Sequence, residues 1–219
     1  GPFLCGLILF VGYGFQNYGL EATTPTNSAF ITSISVLMVP IILYMFKIEK
    51  ISLRIWISVF LAFIGIQMIS PNGFNIGDQL TFGCALSFAI HIIMQDKFDK
   101  KKVINFFVIQ SMTAGLLSLL ASLLVEPVSQ VVFSNEAIIA ILITGILGTT
   151  FALLVMIWAQ KILSASETAI IIAMEPVFAV LFSVYFGYEV LGYISYVGGA
   201  VVVFSVIFCE LSRDTKLVN

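Results

Sequence analysis

The chain has 219 residues, of which 60% are hydrophobic and only 10% charged, with a formal net charge of −2. A soluble domain carries about a quarter of its residues charged, so this chain lacks the polar surface for water, and its mean hydropathy of +1.10 points to a bilayer as its solvent. With no basic run interleaved with aromatics, nucleic acid is excluded as a partner.

In chain order, apolar segments are predicted at 3–20, 27–46, 55–70, 80–95, 103–125, 137–160, 168–186 and 191–208. Most approach the roughly 17–25 residues that a helix needs to cross hydrocarbon. They are too long for barrel strands and lack polar/apolar alternation, so the fold class is all-α, a polytopic transmembrane helix bundle. The connections are short, and Pro25-Thr26, Pro71-Asn72-Gly73 and Glu126-Pro127 read as turns. The chain opens on Gly1-Pro2-Phe3 with neither Met nor signal peptide, as a fragment or a processed start would.

Charge gives the orientation. With eight spans, one side holds Lys47, Lys50, Arg54, Lys97, Lys100, Lys101, Lys102, Lys161, Arg213 and Lys216, which are all 10 basic residues. The other side carries Glu21, Asp78, Glu126, Glu136 and Glu189. The positive-inside rule then predicts a multi-pass protein of the cell (inner) membrane with both termini cytoplasmic.

An internal repeat runs at an offset of 140. Ser28 meets Thr168, Ala29 meets Ala169, Phe46 meets Phe186 and Glu49 meets Glu189, while Thr24 meets Ser164 in the preceding connection. The second span falls on the seventh and the third on the eighth. Paired spans cross in opposite senses, so the repeat is inverted. Equal halves divide the chain into 1–76, three helices of a first repeat, and 77–219, five helices of a second. About 60 residues and two helices would then precede Gly1, giving ten helices in a five-plus-five arrangement.

Three stretches carry a family resemblance. They are Ala22-Thr23-Thr24-Pro25-Thr26-Asn27-Ser28-Ala29-Phe30, Ile162-Leu163-Ser164-Ala165-Ser166-Glu167-Thr168-Ala169, and Glu175-Pro176-Val177-Phe178-Ala179 with the later Gly187-Tyr188-Glu189. Together they resemble EamA-type members of the drug/metabolite transporter superfamily, from the third helix to the tenth. The resemblance implies ten helices, cytoplasmic termini, and export or exchange of small metabolites such as amino acids. The first helix pair, expected in the cavity wall, is the departure.

Polar side chains within the spans are the candidate site. Glu175 lies near the middle of the seventh span with no Lys or Arg at comparable depth. An acid there costs roughly 2.5–3.5 kcal/mol on insertion scales, so it is read as a substrate contact or proton-titrating group, or as a neutral carboxyl bonded to a neighbouring helix. Pro176 beside it frees the carbonyl near Ile172 and is a hinge candidate; Pro40 is expected to bend the second span near its inner end. His91 and Gln95 share a face of the fourth span. His91 could couple transport to protons or be a bonded core residue, whereas Gln95 is expected at the interface. Asn17, Thr32 and Ser35 complete the cavity set, Ser35 because the repeat sets it opposite Glu175. Trp158 is carried as a cavity residue with an interfacial anchor as its alternative. Ser58 and Ala62, like Ser195 and Gly199, form small-residue stripes suited to close packing.

Cys5, Cys84 and Cys209 are isolated, so free thiols are expected, with no metal site and no cofactor. The function expected is secondary transport of a small organic metabolite by alternating access. The rivals are a non-transporting receptor or assembly subunit and, further off, an intramembrane enzyme, which the lone histidine and the absent H-E-x-x-H argue against. The expected partners are a small-molecule substrate and the bilayer, with a homodimer left open.

Overall fold

Backbone amides in hydrocarbon must bond to one another, which leaves helices as the economical solution. The computed structural model describes residues 1–23, 25–48, 50–69, 75–98, 102–126, 134–185 and 192–210, and their regular structure is all α-helical apart from one wider, π-helical stretch. Outside them lie the readings at Thr24, Glu49, 70–74, 99–101, Pro127, Gly187, Tyr188, Glu189, Arg213 and Lys216, as do the side chains of Asn27, Pro176, Ser195 and Cys209.

The helices are α1 (Pro2–Leu20), α2 (Pro25–Thr32), α3 (Ser35–Met45), α4 (Leu53–Ile69), α5 (Ile76–Lys97), α6 (Val103–Val125), α7 (Asn135–Ile143), α8 (Ala152–Ala159), α9 (Ala165–Ile172), α10 (Glu175–Tyr185) and α11 (Tyr193–Glu210). The π-helical stretch Thr144–Phe151 joins α7 to α8 without a break. Among the described residues, α1, α5, α6 and the continuous run Asn135–Ala159 are long and apolar enough to cross a membrane. The protein is therefore a multi-pass membrane protein.

Local chemistry fixes several helix starts. The Asn75 side chain accepts from Asp78 N–H at 2.9 Å and the Asp78 carboxylate accepts from Asn75 N–H at 2.7 Å, closing a capping box at the head of α5. Ser164 and Glu167 do the same for α9. Thr23 also donates its hydroxyl to Asp78, so this carboxylate is fully buried where α1 ends and α5 begins. The charge pattern alone assigns Asp78 to the acidic outer side without revealing this burial.

The broken helices lie at the centre. Val36 of α3, Ile170 of α9, Val59 and Ala62 of α4, and Val202 of α11 form one core cluster. Val39 and Leu43 of α3, Ala165 and Ala169 of α9, and Ala89, Ile92 and Ile93 of α5 form another. By contrast α7 and the π-helical stretch bury no residue.

The most extensive helix pairs are α4 with α11 and α1 with α5, and both use small residues. Ser58 and Ala62 are fully buried on α4, as the stripe requires. A Cβ on Gly65 would come within 2.6 Å of the Gly198 carbonyl oxygen, and one on Gly19 within 2.7 Å of Thr81 Oγ1. Such contacts let backbones approach closely, which is how helices gain van der Waals attraction when lipid removes the hydrophobic drive.

One expectation changes. Pro40 sits buried inside α3, and the same span has a separate interruption earlier, at Ser33–Ile34. Gln95 is not interfacial: it is fully buried, because a partner amide waits for it across the bundle.

Gly65→Ala should destabilise the protein by about 1–3 kcal/mol, since the α11 backbone cannot yield. Gly115→Ala, which meets nothing within 4 Å, should be neutral or slightly stabilising. Paired thermal unfolding of the two variants in detergent checks the difference.

Candidate functional site

The site grows from two interruptions. In the first, Thr32 donates its hydroxyl to the Ser28 carbonyl at 2.8 Å and Ser33 donates to the Ala29 carbonyl at 2.8 Å. This back-bonding bends helices, and the chain tightens into three-residue turns, with Ile34 N–H bonded to Ile31 O and Val36 N–H to Ser33 O. In the second, position 176 is proline, so the Ile172 carbonyl loses its helical donor and α9 ends there. Ala173 and Met174 close tight turns onto Ile170 and Ile171, and α10 restarts at Glu175. The two interruptions have different causes, yet α2 and α9, and α3 and α10, keep the same bounds at the 140-residue offset. Ser35 and Glu175 each open the second piece.

Glu175 as a residue is open to the surface of the bundle while its carboxyl is closely surrounded, within electrostatic range of Tyr13 of α1 and Cys84 of α5. Thr32 lies within hydrogen-bonding reach of the Cys84 thiol, and Thr149, set on the π-helical stretch, within reach of the Tyr13 hydroxyl. Phe88 packs edge-on against the Tyr13 ring, with centroids 5.8 Å apart and planes at 81°. Among the described residues Glu175 forms no ion pair, and no three His, Cys, Asp or Glu side chains gather as metal ligands would.

The residues expected from sequence divide. Glu175 and Thr32 belong to this group. Ser35 is buried at the head of α3. Asn17, exposed on α1, lies one turn from Tyr13 on the same face. His91 is buried between α5 and α6, where its Nε2 meets Gln110 Oε1 at 3.3 Å. Trp158 is 61% exposed at the end of α8, beside the fully buried Ile157. Gln95 donates to Gln160 Oε1 at 2.8 Å, and Gln160 donates to the Ile92 carbonyl at 3.2 Å, tying α5 to the end of α8. Position 176 lies in the first turn of α10.

Sequence reasoning missed Tyr13, Cys84 and Thr149. A phenol, a thiol and a hydroxyl carry little insertion cost, so a search weighted by charge passes over them. The nearest signal was Thr149-Thr150 beside Gly148 in an otherwise aliphatic run.

The fold is that of a multi-pass membrane helix bundle with interrupted helices at its centre, an arrangement that recurs among secondary transporters. The chain belongs to the EamA-like transporter family, whose profile matches residues 2–70 and 75–210. This is a transporter family and not a family of enzymes. A relative from Archaeoglobus fulgidus, an "Uncharacterized transporter", is 35% identical over 213 residues, which cover 95% of this chain and 68% of that protein. A protein of known crystal structure superposes with a TM-score of 0.80 at 17% identity, covering 98% of this chain and 77% of the other. That likeness carries the fold alone.

Gln160→Leu should strand the buried Gln95 amide and lower stability by about 1–3 kcal/mol. His91→Leu should cost a similar amount by leaving Gln110 Oε1 unmatched. Thermal unfolding of the two single variants and the double variant should give additive losses, because the two pairs share no partner.

Proposed function

We propose that this chain is the larger part of a secondary transporter that exports or exchanges a small organic metabolite, such as an amino acid or a related compound, by alternating access. The observation that carries the proposal is Glu175 at the interruption between α9 and α10, within electrostatic range of Tyr13 of α1 and Cys84 of α5. Interrupted helices near the midplane are where such proteins hold solutes, because the breaks expose backbone groups and leave room for water.

In this proposal α2 with α3, and α9 with α10, each count as one span, giving eight. The halves 1–76 and 77–219 are inverted copies. The common offset of 140 between their broken helices supports this, as does a family match that falls in two stretches. Two further helices of the first copy, ahead of Gly1, would make ten and would cover the bare apolar face of α7 and the π-helical stretch. Both termini are cytoplasmic by the distribution of lysine and arginine. Pro176 ends one half-helix and permits it to hinge.

Binding energy must differ little between the inward and outward states, or the solute would not be released. Glu175 is proposed to contact the solute or to carry the coupled proton. In liposomes containing the full-length protein, a pH gradient should drive solute uptake, and Glu175→Gln should cut that response at least about tenfold, equivalent to roughly 1.4 kcal/mol of lost coupling. An unchanged response would remove the assigned role.

The topology has its own test. Cysteine placed at Lys102 should react with an impermeant maleimide only from the cytoplasmic side, and cysteine at Glu126 only from outside. Reversed labelling would overturn the orientation.

A further inference from the structure

We infer that the turn joining α3 to α4 is a binding surface for an anionic phospholipid, whose headgroup is held by Lys47, Lys50 and Arg54 while its chains lie along the apolar sides of the two helix ends. The inference goes beyond transport and needs only the membrane setting of the fold.

Its first support is the backbone at Lys47. Lys47 N–H bonds to the Tyr44 carbonyl at 3.1 Å, and Ile48 N–H reaches back to the Leu43 carbonyl at 2.9 Å. These are the paired bonds that close a helix through a left-handed residue, and Lys47 takes that conformation with a φ of 53°. Glycine is the usual residue there, since a Cβ crowds the backbone. Among the described residues Lys47 alone has a positive φ without being glycine. At the 140-residue offset between α3 and α10 the sequence has Gly187 in its place, and Val190 and Ile194 in place of Lys50 and Arg54. A lysine at this position works against the local preference of the backbone, so its charge is what the position gains.

The second support is what surrounds the charge. Lys47, Lys50 and Arg54 are exposed, and among the described residues none of them forms an ion pair. Within 47–54 the sequence sets one acid, Glu49, against these three cations. Tyr44 of α3 meets Trp56 of α4 edge to face, with ring centroids 6.1 Å apart and planes at 82°. The pair ties the two helix ends together and brings a phenol and an indole, the side chains that settle at headgroup depth. Met45, Phe46 and Leu53 are exposed alongside. Leu43 and Ile51 pack into the core shared with α5 and α9, which fixes the turn in place. Cations, amphipathic rings and bare apolar side chains gathered at one turn match the phosphate, the glycerol region and the acyl chains of a lipid. A soluble anion would use the cations and leave the apolar side chains without a partner.

The test places the full-length protein in vesicles of mixed phosphatidylglycerol and phosphatidylcholine, with the chains of one lipid or the other brominated. Bromine quenches an indole that it touches, and the Trp56 signal is the difference between the protein and its Trp56→Phe variant. Brominated phosphatidylglycerol should quench Trp56 as though enriched at least about threefold over its share of the bilayer. Lys47→Gly suits the backbone, so that variant should fold at least as well and show a lower enrichment. Adding Lys50→Gln and Arg54→Gln should bring the two lipids to parity. Lys97→Gln with Lys102→Gln, at another basic turn, should leave the enrichment intact. Parity on the unaltered protein overturns the inference, whatever the variants do. So does an enrichment that survives the triple variant, or one that Lys97→Gln with Lys102→Gln abolishes. Loss of the enrichment on adding glycerol 1-phosphate at matched ionic strength overturns it as well, in favour of a soluble anion.

Discussion

An amide group in hydrocarbon has no water to turn to, and leaving one unmatched costs several kcal/mol. That constraint explains where this protein can afford irregular backbone. Both interruptions fall in helices packed at the centre of the bundle, and neither is unwound. Three-residue turns at Ile31–Ile34 and Ile171–Met174 recover most of the bonds that a regular helix would have made. The irregularity is confined to a few groups at the two breaks.

The acid at the second interruption follows from the same economy. A carboxylate at the bilayer centre costs about 2.5–3.5 kcal/mol on insertion scales. Glu175 stands in the first turn of α10, where the free N–H groups and the helix dipole favour negative charge by about 0.3–1 kcal/mol. The dipole offsets part of the cost. Protonation or a polar neighbour can meet the remainder.

Away from the centre the protein is held by fit. The α4–α11 and α1–α5 contacts use glycine, alanine and serine so that backbones meet, whereas α7 and the π-helical stretch present isoleucine and leucine outward with no buried residue. Buried amides add direction. Gln95 with Gln160, and His91 with Gln110, join α5 to neighbours on either side. The lone histidine takes part in one of these helix-to-helix contacts.

Helices, their approximate ends and the membrane environment were legible in the sequence, because hydropathy and helix length are properties of each segment on its own. Val103–Val125 falls where the apolar run placed it. The end of α9 before Pro176 was equally local, since proline removes a donor wherever it stands. What tertiary structure decided depends on neighbours from distant segments. The break at Ser33–Ile34 needs two hydroxyls to turn back onto carbonyls, although Pro40 offered the louder signal. Gln95 and Asp78 are buried because Gln160 and Thr23 come to meet them, and Tyr13, Cys84 and Thr149, from three different spans, become neighbours only through packing. The sequence determines which segments can enter lipid; packing alone decides which polar groups share a pocket once they are there.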